Sequence, residues 1–175
     1  MKQQSGFTLI ELMITLALLG IILGLAMPAV TDFAIKQRVS SQANEMMLSL
    51  AFARSEAVKR NLNVKLMPVT GTHNGWEDGW CVGIDDNSHN EFMSNCGDPD
   101  AIRVYSANSG VTVVSAGISA PPIIKFRRDG AFDDAAVSIS VTAPNLKADG
   151  LGARCIKLNR QGRAEVEKVA RDDGC

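Results

Sequence analysis

The chain of 175 residues has little with which to do chemistry. It holds two histidines, one tyrosine and only 5% aromatic residues, and its formal net charge is −1. A charge so near zero gives no overall field to draw in nucleic acid or an acidic lipid surface. There is no G-x-S-x-G, no glycine-rich phosphate loop ahead of a helix and no H-E-x-x-H. The usual signatures of acyl transfer, nucleotide chemistry and zinc hydrolysis are therefore missing. His73 and His89 lie in polar stretches with no nucleophile partner. No C-x-x-C occurs, and neither histidine stands at ligand spacing from a cysteine, which argues against zinc. Asp85-Asp86-Asn87 opens like a calcium loop. Counted from Asp85, however, the sixth and twelfth positions are Asn90 and Cys96, where Gly and Glu are required. The expectation is no enzyme, no metal and no cofactor. Internal repeats and low-complexity tracts are absent too.

Cationic charge is missing from one stretch altogether: no lysine or arginine occurs from Phe7 until Lys36. Its first part, Phe7 to Val30, is apolar, and about 20 such residues suffice for a helix to cross the hydrocarbon core. A signal peptide is the alternative. The run is longer than an h-region of roughly 7–15 residues, and Pro28 spoils Ala26-Met27-Pro28-Ala29 as a cleavage site. Glu11 stands inside the run. A carboxylate at bilayer depth costs on the order of 3 kcal/mol and usually has a partner. Pro28 removes a backbone donor from the helical pattern and predicts a kink. Lys2 is the one cation ahead of the run, which favours a cytoplasmic N-terminus with the bulk of the chain outside.

Beyond Pro28 the helical period continues to about Asn61. Val39, Ala43, Met46, Met47, Leu50, Ala53 and Ala57 recur at three- and four-residue spacing and make one apolar face. Lys36, Arg38, Gln42, Glu45, Arg54 and Lys59 fall mostly elsewhere. After Asn61 the pattern changes to short alternating runs. Val64 to Met67, Trp80 to Ile84, Ile102 to Tyr105, Val111 to Val114, Ile123 to Phe126, Val137 to Thr142, Arg154 to Asn159 and Ala164 to Val169 read as strands. Gly71 to Gly79 reads as a polar loop with Trp76 and Trp80 at its far edge, and the stretch after Asp85 as a hairpin tip. Short strands separated by turns imply an antiparallel sheet, and a sheet with one buried face needs a cover. The amphipathic helix is the only candidate, so the fold class is α+β.

Four cysteines, Cys81, Cys96, Cys155 and Cys175, all follow the apolar run. An even count in an exported domain suggests disulfides. Of three pairings, proximity favours Cys81 with Cys96 and Cys155 with Cys175. Each closes a loop of roughly 15–20 residues, for about 3 kcal/mol by loop entropy.

Gly6-Phe7-Thr8-Leu9-Ile10-Glu11 resembles the prepilin peptidase site of type IV pilins and type II secretion pseudopilins. The resemblance implies that a leader of residues 1–6 is removed between Gly6 and Phe7, that Phe7 is N-methylated and that Glu11 is the subunit-assembly residue. A new amine on Phe7 of one subunit could neutralise Glu11 of its neighbour, since a buried charge is tolerable when paired. Leu48 to Asn61, with Ala53-Arg54-Ser55-Glu56-Ala57 and Lys59-Arg60, resembles the GspH/FimT family of minor pilins, as do Phe126 to Gly130 and Gly162-Arg163. The implied fold is type IV pilin-like: a long N-terminal transmembrane helix packed on a C-terminal antiparallel β-sheet domain. The implied organisation is 1–6 leader, 7–30 membrane and filament-core helix, 31–61 amphipathic continuation and 62–175 globular head. The implied role is a minor pilin of the inner membrane, head in the periplasm, that primes or caps pilus assembly. Its partners would be other major and minor pilins and prepilin peptidase.

Two alternatives stay open. Some FimT relatives resemble DNA-uptake proteins that use a Gly-Arg-x-Arg motif in the last hairpin. Here Gly162-Arg163-Ala164 is followed by Glu165 in place of the second Arg, and Glu167 comes after. Carboxylates there repel phosphate. Arg160, Arg163, Lys168 and Arg171, joined by Arg127 and Arg128, still form a mixed basic cluster that double-stranded DNA could contact. The other alternative is a minor pseudopilin of type II secretion, against which Pro28 argues modestly.

Overall fold

The structure, a computed structural model, describes residues 7–70, 75–86, 91–118, 122–133, 136–148 and 150–175, with the side chains of 25–28, 86, 91 and 92 left out. The chain divides into two compact units, one ending at Ala34 and one of Ile35–Cys175. Helix α1, Leu9–Arg60, runs through both.

In the first unit α1 has no core of its own. Every side chain from Phe7 to Gly24 is exposed, including Phe7 at 84% and Leu9 at 76%. No single helix among the described residues is both long and apolar enough to cross a membrane. Leu9–Gly24 and Ala29–Arg60 pass that test together, by length and composition. The kink expected at Pro28 falls within 25–28, outside the described side chains.

In the second unit α1 is amphipathic. Val39, Ala43, Met46, Leu50, Ala53 and Ala57 are all buried, as their spacing requires. Met47 is only partly buried. Gln42, expected on the polar side, is wholly buried, because its Oε1 accepts the backbone N–H of Asn108 at 2.7 Å. The helix ends where Asn61 turns to φ 55°. The Leu62 N–H then reaches the Ala57 carbonyl and the Asn61 N–H that of Val58, the Schellman pattern that satisfies last-turn carbonyls.

The strands are β1 (Val64–Pro68), β2 (Trp80–Asp86), β3 (Glu91–Phe92), β4 (Ala101–Tyr105), β5 (Thr112–Ala116), β6 (Ile124–Phe126), β7 (Val137–Thr142), β8 (Ala153–Leu158) and β9 (Ala164–Val169). They form two antiparallel sheets where the alternation suggested one. One has the order β3-β2-β1-β6 with β4 also beside β2, and the other the order β5-β7-β8-β9. Period-two alternation fixes which face each residue takes but not its neighbours. β1 pairs with both β2 and the distant β6, Val64 opposite Phe126, while β5 leaves for β7. The hairpin expected after Asp85 is present as β2–β3, with its tip, 87–90, outside the described residues.

The stretch read as a polar loop contains a 3-10 turn, Gly75–Asp78, and Trp76 within it is fully buried. Its Nε1–H donates to Ser115 Oγ of β5 at 3.0 Å, the partner a buried indole needs. Trp76 thereby joins the segment between β1 and β2 to the other sheet. The disulfides are Cys81–Cys96 and Cys155–Cys175, with Cα separations of 5.5 and 5.3 Å. The first clips the segment after β3 to β2, and there Gly83 leaves room for Met93, whose Sδ a Cβ would strike.

Candidate functional site

Two places along α1 carry the residues singled out in the sequence. The first is its N-terminus. Thr8 precedes the first helical residue, and its Oγ1 accepts the N–H of Glu11 at 3.3 Å. Thr8-x-x-Glu11 is the spacing of a capping box, a signal present in the sequence and not used in reading it. Glu11 lies in the first turn, where the helix dipole favours a carboxylate. It is exposed, as are Ile10, Leu12, Ile14 and the other apolar residues around it. Gly6, on the leader side of the cleavage position, lies outside the described residues, and Phe7 is exposed at the start of the chain that is described.

The second place is the far end of α1, where three separate sequence motifs meet. Arg54 Nε donates to the Gly130 carbonyl at 3.1 Å. Gly130 sits in the turn after β6, with φ 79°, closed by its N–H on the Arg127 carbonyl. Gly162 sits in the β8–β9 turn with φ 74°, its N–H on the Asn159 carbonyl. Both positive φ values suit glycine. A Cβ on Gly162 would collide with the Gly130 oxygen and come within 3.3 Å of Arg54 Nε. A Cβ on Gly130 would meet Val58 Cγ2 at 3.0 Å. The Phe132 N–H donates to the Arg160 carbonyl at 3.0 Å, binding the two turns to each other. One arginine of the helix thus gathers a turn from each sheet. Beside it Glu56, 6% exposed, is bonded by Arg60 Nε at 2.6 Å and Lys59 Nζ at 3.5 Å. The Arg60 hydrogen bond, foremost, holds the Glu56 carboxyl below its ordinary value, and the nearby Lys59 and Arg60 charges add to it against the effect of burial.

Next to this junction α1 and the start of β9 enclose an apolar groove of 620 Å³. Met47, Leu50, Ala51 and Val58 form its apolar part, and Arg54, Lys59 and Arg163 are its cations.

The four cations of the last hairpin are variously engaged. Arg163 Nε lies 3.3 Å from Glu165. Arg171 bonds Asp172 at 2.8 Å and the Leu146 carbonyl at 2.9 Å. Lys168 lies opposite Arg154 across the β8–β9 ladder. The Arg160 side chain is exposed, and only its carbonyl is used in the junction. Glu167 pairs with Lys157 at 2.7 Å, and Arg127 with Asp129 at 2.6 Å. Among the described residues no group of three or more His, Cys, Asp or Glu could hold a metal ion.

A helix with a bare apolar first half, followed by antiparallel sheets packed on its second half, is the architecture of type IV pilin-like proteins. The type IV minor pilin FimU of Pseudomonas aeruginosa has this fold: TM-score 0.61, 19% identity, covering 80% of this chain and 97% of that one. The minor pseudopilin EpsH from the type II secretion system of Vibrio cholerae has it too, with TM-score 0.53 and 9% identity over 79% of this chain and 99% of that one. Residues 1–27 match the prokaryotic N-terminal methylation motif, and residues 42–162 match the family described as type II transport protein GspH. The chain belongs to the GspH family. The fimbrial protein of Pseudomonas aeruginosa is 44% identical over 46 residues, 26% of this chain and 30% of that protein. This chain therefore matches less than a third of that relative's length.

Proposed function

We propose that the protein is a minor type IV pilin, a membrane-anchored structural subunit that joins a tip complex and primes or caps pilus assembly. The observation that carries this reading is the first half of α1. From Phe7 to Leu23 its apolar side chains are exposed, and no core forms among them. So large an apolar surface requires lipid or other subunits around it. Glu11 in its midst suits an assembly role. Once leader 1–6 is removed between Gly6 and Phe7, a methylated amine on Phe7 of a neighbouring subunit can pair with that carboxylate. In the hydrocarbon core it sets register, while the apolar surface supplies adhesion. The organisation proposed is 7–30 as anchor, 31–61 as the amphipathic continuation and 62–175 as head, on the periplasmic side of the inner membrane, with other pilins and prepilin peptidase as partners.

The test is Glu11→Ala in the full chain. Membrane insertion should persist while incorporation into sheared pili is lost. Normal incorporation of the variant would sink the assembly role. N-terminal mass should read methyl-Phe7, and an unprocessed Met1 would remove the peptidase from the partners.

Role in a type II secretion pseudopilus is the second reading, favoured by the family match and the likeness to EpsH. Loss of secretion without loss of pili, in cells lacking the protein, would select it. A DNA receptor has less support, because the carboxylates of Glu165 and Asp172 lie against Arg163 and Arg171.

A further inference from the structure

We propose that the groove between α1 and the start of β9 receives an acidic amphipathic helix of a partner subunit. The inference rests on the assembly reading and adds to it the chemistry of the partner.

The groove follows α1 from Met47 to Lys59, a path of about 18 Å at 1.5 Å per residue, or roughly three helical turns. Its wall on the other side is short, residues 162–164 only. Gly162 has no side chain to close it. Leu48, 68% exposed, and Val58, 55% exposed, stand at the two ends of a stripe with Ala51 and Ser55 between them. The spacing of three, four and three places all four on one side of the helix. This stripe borders the Val39 to Ala57 face that packs on the sheets, and Met47 and Leu50 at the edge of that face complete the apolar lining. Ala51 and Ser55 are small, and larger apolar residues bracket them, a surface into which the side-chain ridge of another helix fits. A strand laid there would present alternate side chains along a helical stripe and match it poorly.

Charge selects the partner. Among the described residues three cations line the groove and no carboxylate does. Lys59 and Arg163 have acidic neighbours of their own, Glu56 at 3.5 Å and Glu165 at 3.3 Å. With Arg54 and Arg60 beside them, the cations outnumber these two carboxylates, and the rim stays net positive. A second carboxylate brought by the partner can share them, and an incoming lysine or arginine is repelled. The partner helix therefore carries apolar residues at i, i+3, i+4 and i+7 and carboxylates along the flank that lies over Lys59 and Arg163.

The test uses the full chain in the bacterium that makes it, with Ser55→p-benzoylphenylalanine and ultraviolet crosslinking. Mass spectrometry should map the crosslink to an acidic amphipathic helix of a different subunit. The double variant Lys59→Glu with Arg163→Glu should lower its yield about tenfold, as two reversed rim charges imply. These side chains are 75% and 72% exposed, so the double variant should fold, with its thermal transition lowered only slightly by the charge reversed beside Glu56. The proposal is overturned if the crosslink maps to lipid, to a second copy of this chain or to a segment without carboxylates. It is overturned equally if no crosslink forms or if the charge reversals leave the yield unchanged. Should pili form normally without this chain while the Ser55 crosslink behaves as expected, the assembly reading falls and the groove stands. Should pili depend on Glu11 while Ser55 meets no acidic helix, the reverse holds.

Discussion

Arg54 and Gly162 show what one residue can decide here. Gly162 combines a positive φ with a Cβ position already filled by the Gly130 carbonyl. Gly162→Ala should cost roughly 1–3 kcal/mol in backbone strain alone. Tm should drop by about 2–4 °C for each kcal/mol, read by calorimetry. An unchanged Tm would mean that the two turns are not held against each other. Glu56 gives the fold an acid limit. Its folded carboxyl titrates below the ordinary 4.5. Its contribution is therefore complete above about pH 4.5 and disappears as pH falls through the lower folded value. Glu56→Gln should flatten the acid side of a Tm-against-pH curve and leave the neutral side parallel to the parent's. Arg54, Gly130 and Gly162 were each legible in the sequence as motif positions. Their meeting was not, because nothing in a linear pattern joins residue 54 to a carbonyl 76 residues away.

At the scale of elements, periodicity carried most of the information. The buried face of α1 follows from spacing, and β7 and β9 occupy the stretches their alternation marks. What spacing does not encode is partnership, so two sheets stand where one was expected. Trp76 was hidden for another reason: its neighbours are polar, and its burial depends on Ser115, far along the chain. The Gln42 side chain was misplaced because a buried polar group is legible only with its partner, here the Asn108 N–H. The C-terminal element offers a direct measurement. Cys155–Cys175 closes a separation of 20 residues. Cys175→Ser should cost about 3 kcal/mol by loop entropy, seen as a lower midpoint in urea. A midpoint equal to the parent's would show that the Arg171 contacts to the Pro144 and Leu146 carbonyls hold the C-terminal segment unaided.

For the whole molecule the division after Ala34 is the useful fact. Among the described residues all the buried core, from Val39 to Leu158, falls in the second unit, as do both disulfides. A fragment of residues 35–175 should unfold in a single cooperative transition with native near-ultraviolet dichroism. A non-cooperative fragment would mean that the removed first unit contributes to the stability of the second. The same fragment should show no salt-sensitive binding to duplex DNA at roughly 100 µM, the weak end of non-specific affinity. Binding that Arg163→Ala abolishes would restore the receptor reading.

The Arg54 junction also sets a timetable. The helix is made first, yet the apolar face it carries is covered by strands that run as late as β8, and β1 needs β6 beside it before its ladder is complete. Such distant pairings close slowly, on the order of milliseconds to seconds. During that interval Val39 to Ala57 stands uncovered on a chain already emerging. The two cystines join neighbours only 15 and 20 residues apart, yet oxidation takes seconds to hours and is slower still. Newly made chains should therefore pass through a stage in which the helix face is uncovered and the cystines are still open, and that stage is where a chaperone or a protease would find them.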